Sequence, residues 1–154
     1  MRTWALWVVV LGIGCRGADE CGGQGTAWLE VGPSDGEEFT AYSDGEAMVS
    51  SENADGEAGV KLAMRTAGAD TRDAVTVTVE LEVDGYLRQL VGDTALACDN
   101  SGNGRVSVFA GLPQTVQADP DAFEGAEVYL HAVLIDGRDR AVEADPLLLK
   151  LVTR

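Results

Sequence analysis

Histidine occurs once in this chain, at position 131, and no two of the three cysteines stand at the spacing of a zinc ligand pair. The His and paired Cys ligands that a structural zinc site draws on are missing, so that chemistry is not expected. Basic residues are scarce too: 11 Lys and Arg face 26 Asp and Glu, a formal charge of −15. A field of that sign repels phosphate backbones and anionic lipid, which argues against nucleic-acid binding and electrostatic docking on a membrane. It suits solubility and, among partners, cationic groups or divalent ions. No apolar run approaches the ~20 residues of a membrane-spanning helix. Also missing are a Gly-x-Ser-x-Gly elbow, a His-Glu-x-x-His pair and a phosphate-cradling glycine loop. Without a catalytic set, a non-enzymatic role is expected. What is present is 154 residues, 45% of them hydrophobic, enough for one domain with a real core.

The N-terminus has its own grammar. Arg2 is the only charge before Cys15, and an apolar run from Trp4 to Gly14 separates them. A positive start, a short apolar core and small residues before a cleavage point are what signal peptidases read. The run is about ten residues long, half of a spanning helix, and so suits export better than anchoring. Leu11-Gly12-Ile13-Gly14-Cys15 resembles a bacterial lipobox, in which the Cys thiol is diacylated and becomes the mature N-terminus. The usual leucine falls one position early here, and Gly12 stands in its place. The resemblance makes residues 1–14 a signal peptide and Cys15 the lipidation site. An ordinary secretory signal and an uncleaved anchor are the competing readings. Residues 15–25 follow as the lipidated Cys and a glycine-rich tether, and 26–154 as the folded domain. With Cys15 given to lipid, Cys21 and Cys98 remain as an even pair for a disulfide in an oxidising compartment. The chain-entropy value of so long a loop is about 4 kcal/mol. Two free thiols or an intermolecular bond are the alternatives.

From Thr26 onward β-branched and apolar residues are separated by turn signals. Val75, Val77, Val79, Leu81 and Val83 alternate with polar residues, which puts all five on one face of a strand. Asp84-Gly85 then predicts a hairpin to a partner strand over Tyr86 to Val91. Asp-Gly recurs at 35, 44, 55 and 136. Val60, Leu62 and Met64 alternate, as do Val106, Val108 and Ala110, and the even positions from Ala126 to Leu134. Leu147 to Val152 is a more continuous apolar run and predicts a last strand buried on both faces. Trp28, in a first strand from Ala27 to Val31, reads as a core anchor. If exposed together with Tyr42 and Tyr86, it would mark a contact surface. The Gly22-Gly23 tether and the stretch from Pro113 to Pro120 are the two places where order is least expected. Seven to nine strands without a helical period predict an all-β fold: an antiparallel β-sandwich of immunoglobulin-like architecture, with a small barrel as the alternative.

Two local signals bear on chemistry. Asp99, Ser101 and Asn103, followed by Gly104, match the first half of a calcium loop, with alternate oxygens converging on a hard cation. The twelfth position is Ala110 rather than a bidentate Glu, and the flanks read as strands. The competing reading is a polar connecting loop. His131 lies by strand parity on the mixed face with Glu127 and Tyr129, where a solvated group is expected.

The layout as a whole resembles predicted lipoproteins of Gram-negative bacteria, myxobacteria and their relatives in particular. The lipobox-like Leu11 to Cys15, the tether, and Val31-Gly32 leading into an Asp-Gly-punctuated β domain carry that resemblance. It implies a cell-envelope protein held to the membrane through its lipid, and it supplies no activity. Arg16 follows the Cys where Asp would favour inner-membrane retention, so the resemblance leans to the outer membrane. The expected partners are an envelope protein or a glycan; the alternative is a calcium- or carbohydrate-binding accessory domain.

Overall fold

The computed structural model describes Cys21, residues 25–99 and residues 101–154. The leader 1–14, lipidation at Cys15 and all of the tether between Cys15 and Gly25 except Cys21 lie outside the described residues.

The fold is all-β. Among the described residues ten strands form one hydrogen-bonded sheet: β1 (Trp28–Pro33), β2 (Ala47–Glu52), β3 (Ala58–Ala67), β4 (Val75–Val83), β5 (Tyr86–Thr94), β6 (Ala97–Cys98), β7 (Gly104–Gly111), β8 (Glu127–Ile135), β9 (Ala141–Glu143) and β10 (Leu147–Val152). The strand order is β5-β4-β8-β10-β2-β3-β7-β6, with β1 beside β3 and β9 beside β8. β2 is the bend in this sheet. Its first half, Ala47 to Val49, pairs in parallel with β10, and its second half, Ser50 to Glu52, pairs antiparallel with β3. The sheet therefore curls into two wings, β5-β4-β8-β10 with β9 and β3-β7-β6 with β1. Their inner faces share one core.

The period-two reading of the strands predicted that core. Val75, Val77, Val79, Leu81 and Val83 are all buried, as are Val128, Leu130, Ala132 and Leu134 from the facing parity of β8. The Asp84-Gly85 turn closes β4 on β5 with Val83 opposite Tyr86. Asp84 (φ 50°) and Gly85 (φ 82°) both take positive φ, which matches the right-handed twist of the strands they join.

Three expectations need correction. β10 is not buried on both faces: Leu149 and Leu151 point inward, whereas Leu148 is 45% exposed and Lys150 is exposed. Among the described residues nothing covers its outer side. Trp28 is not a core anchor, because Leu29 and Val31 take the inward parity and leave Trp28 half-buried on the outer face. Residues 113–120, where order was least expected, are ordered. They hold a short helix, α1 (Gln114–Ala118), which buries Val116 completely, and a 3-10 turn (Pro120–Phe123) follows.

Cys21 and Cys98 form the expected disulfide. Cys21 is buried, and its backbone N–H donates to Thr71 Oγ1 at 3.3 Å, so the start of the domain is fixed against the β3–β4 loop.

Candidate interaction surface

The two wings share a core but differ on their outer faces. On the β1-β3-β7 wing, cross-strand register lines up Glu30, Arg65 and Arg105. Arg65 Nη2 pairs with Glu30 Oε2 at 2.9 Å. Its guanidinium carbon lies 5.5 Å from the Trp28 ring centre and 4.6 Å from that of Phe39. Arg105 approaches the same Phe39 ring at 6.0 Å and donates to the carbonyls of Gly36 and Glu37. Two of the chain's few cations thus clamp the β1–β2 connection down on the sheet. Tyr42 in that connection donates its N–H to Val31 O and packs on the core. Burial, helped by Asp35 and Glu46, pushes its hydroxyl up to about 12, so it stays neutral. Trp28, Tyr42 and Tyr86 therefore do not form one surface. The first is stacked, the second is half-buried, and only Tyr86 is exposed.

The other wing is bare. Among the described residues, every large hydrophobic side chain that is exposed belongs to it: Tyr86, Leu87 and Val91 on β5, Tyr129 and Ile135 on β8, and Leu148 on β10. Register puts all of these except Tyr86 on one outer face; Tyr86 takes the inner parity and meets Phe123 edge-on at 6.0 Å. Leu87, Glu82, Tyr129 and Leu148 run across four strands in one row. Val91, Thr78, Val133 and Glu143 form another. Between them lies a polar row of Gln89, Glu80 and His131. His131 Nδ1 is 3.7 Å from Glu80 Oε2 and its Nε2 is 3.6 Å from Glu143 Oε2. Gln89 Nε2 donates to Glu80 Oε1 at 2.9 Å. An apolar field divided by a band of oriented donors and acceptors can bury area against a partner and fix its orientation at once. The neighbours of His131 are these cross-strand carboxylates as well as Tyr129 and Val133, two residues to either side on its own strand. Sequence parity identified the face, but the register that brings Glu80 and Glu143 to the ring is a tertiary fact.

A cluster at one end of the domain went unnoticed in the sequence. Asp136, read there as an ordinary turn residue, is buried and accepts from the backbone N–H groups of Asp70, Arg138 and Arg140 and from the Arg140 guanidinium. Burial acts to raise its pKa, but these donors together outweigh it and hold the carboxyl at about 2. Arg72, first through its side-chain hydrogen bonds, and Arg138 hold Asp70 well below the usual carboxylate range. The cluster binds the β3–β4 loop to the β8–β9 turn and positions both. Only the Asp-Gly at 136 signalled it, and a turn signal does not reveal burial.

The residues of the half calcium loop are placed as a tight turn between β6 and β7. Asp99 Oδ1 accepts from the N–H groups of Ser101 and Asn103 at 2.8 and 2.9 Å, and Gly102 N–H donates to Asp99 O. One carboxylate oxygen is spent on its own loop, the arrangement of an Asx turn. Asn100 lies outside the described residues. Among the described residues no group of three His, Cys, Asp or Glu is poised around a common point for a metal ion. Nor is any helix among them long and apolar enough to cross a membrane.

Compared with protein-family models and with curated proteins, the chain matches none.

Proposed function

We propose that this chain is a lipid-anchored cell-envelope protein whose β domain works as a non-enzymatic interaction module. The observation that carries the reading is that five of the six large exposed hydrophobics among the described residues, Leu87, Val91, Tyr129, Ile135 and Leu148, lie on the outer face of one wing. Scattered single exposures are ordinary on a soluble protein, but a contiguous apolar field rimmed by polar groups marks a contact face. The short apolar leader and the lipobox-like Cys15 support export and an anchor, by preference in the outer membrane. We further read the curled sheet as an immunoglobulin-like sandwich. Four features support this: the order β5-β4-β8-β10 on one wing, β3-β7-β6 on the other, a strand shared between them, and its parallel pairing with the last strand. The partner is an envelope protein or a glycan.

Two measurements test it. Fractionation and intact-mass analysis of the full chain made in a Gram-negative host should find acylated protein beginning at Cys15, lost with Cys15→Ser. A photo-crosslinking residue at Tyr129 or Leu148 should give discrete adducts in intact envelopes, while one at Lys61 on the opposite wing gives none. Equal adducts from both wings would overturn the contact face.

A further inference from the structure

We infer that β5 is a self-complementary edge, through which the sheet continues antiparallel into the β5 of a second copy of this chain. The inference rests on the reading of this wing as a contact surface and names one of its occupants.

The two ends of the sheet are built differently. At one end β6 is two residues long and carries Cys98 of the disulfide, a short edge that offers little to pair with. At the other end β5 runs nine residues without proline. A two-residue turn is closed by a hydrogen-bonded pair, here Val83 with Tyr86, and such pairs alternate along an antiparallel ladder. Tyr86, Arg88, Leu90 and Gly92 therefore turn their amides to β4, and Leu87, Gln89, Val91 and Asp93 turn theirs to the edge that no strand among the described residues pairs. Long edges of this kind are normally blunted by Lys or Pro. Here the free positions carry Leu87 at 62% exposure and Val91 at 59%. The one cation on the strand, Arg88, points the other way and is held by Glu57 Oε1 and Leu112 O.

A two-fold axis through Gln89 pairs the strand with itself in one chemically consistent register. Leu87 meets Val91 of the second copy, Gln89 meets Gln89, and on the inner side Tyr86 meets Gly92. The last pair explains an otherwise unfavourable residue. Glycine in a strand interior forfeits packing, and a Cβ placed at Gly92 would find nothing within 4 Å. The Tyr86 ring of the second copy, edge-on to its own Phe123 but still 44% exposed, would cover that space with its open side, the way an aromatic neighbour shields a strand glycine. Shifting the register by two puts Leu87 against Asp93 and gives up the fit.

Charge fits the seam as well. Residues 87, 89 and 91 are uncharged, and Glu80 and Glu82 sit one strand back on β4. Three strand spacings then separate these carboxylates from their symmetry mates, about 14 Å, beyond the ~8 Å screening length at physiological salt. Asp93 and Asp84 approach one another only at the ends of the paired segment. One strand pair buries less than a permanent dimer needs, so the association is weak and concentration-dependent, and tethering in a membrane plane would strengthen it.

The test is sedimentation equilibrium of the detergent-solubilised full chain over a hundredfold concentration range, with oxidative crosslinking of single cysteine variants. A shift from one to two copies with concentration, strengthened by salt, is expected. Leu87→Lys should weaken it at least tenfold with no change in melting temperature, and Gly92→Phe should weaken it too. Gln89→Cys should give a covalent dimer that Glu82→Cys, at a position that is exposed too, does not. A single-copy mass throughout, an unaffected Leu87→Lys dimer, equal crosslinking from Glu82→Cys, or a Gln89→Cys adduct with a different protein would each overturn the pairing. A monomer that still gives envelope adducts from Tyr129 refutes the pairing alone. A dimer without such adducts refutes a further partner for the contact face alone.

Discussion

The outer faces of the two wings are built on the same alternating strands over the same core, yet one is closed and the other open. On the β1-β3-β7 wing the positions that point outward carry Trp28, Glu30, Arg65 and Arg105, and the chain returns over them with Phe39 stacked on both guanidiniums. On the β5-β4-β8-β10 wing the equivalent positions carry Leu87, Val91, Tyr129 and Leu148, and nothing among the described residues returns. Hydrophobic alternation decides which side of a strand is buried. Whether the other side stays wet depends on a connection elsewhere in the chain. Here the long β1–β2 connection supplies a cover on one wing, while the two-residue β4–β5 turn has no length to supply one on the other.

This contrast can be broken at several depths. Leu62→Ala on β3 and Leu130→Ala on β8, both fully buried, should each cost about 2–5 kcal/mol in chemical denaturation, because the two wings share one core. A large cost from one and none from the other would mean that the wings fold independently. Asp136→Ala, which strands three backbone donors and Arg140, should cost about 3 kcal/mol. The same site sets the acid limit. Asp136 and Asp70 have folded pKa values depressed below their unfolded ones, so their contribution is full above about pH 4. It should fall away as the pH drops towards about 2, and an Asp136→Ala protein should lose less stability over that interval. Phe39→Ala, which uncovers the clamped wing, should cost about 1–2 kcal/mol through the lost guanidinium contacts. On the open wing, Tyr129→Ser and Leu148→Ser should each move stability by no more than about 0.5 kcal/mol, while Tyr129→Ser abolishes the adducts of a crosslinker at Leu148 and Leu148→Ser those of one at Tyr129. If they destabilise as much as Phe39→Ala, the open wing is structural and the contrast disappears.

Part of this was legible beforehand. The alternations at Val75–Val83 and Ala126–Leu134 gave the inner faces of two central strands, and Asp84-Gly85 gave the hairpin between β4 and β5. The even pair Cys21 and Cys98 gave the disulfide. Trp28 misled because a large aromatic is read as core unless the parity of its neighbours is weighed, and Leu29 and Val31 held the inward positions. Leu147–Val152 misled because three leucines in succession look buried on both faces, although Leu148 contributes to the open surface. Asp136 misled because the same dipeptide serves an exposed hairpin at 84 and a buried hub at 136.

What the sequence determined is local. A period of two assigns side chains to one face or the other, and a dipeptide tolerant of positive φ ends a strand, since both follow from backbone geometry over a few residues. What the tertiary structure decided is non-local. β2 divides its pairing between β10 and β3, Glu80 and Glu143 meet His131, the β1–β2 connection closes one face, and β5 is left as the free edge. Each of these joins residues far apart in the chain, and the free energy of such contacts depends on the register and curl of the whole sheet, which no short window of sequence contains.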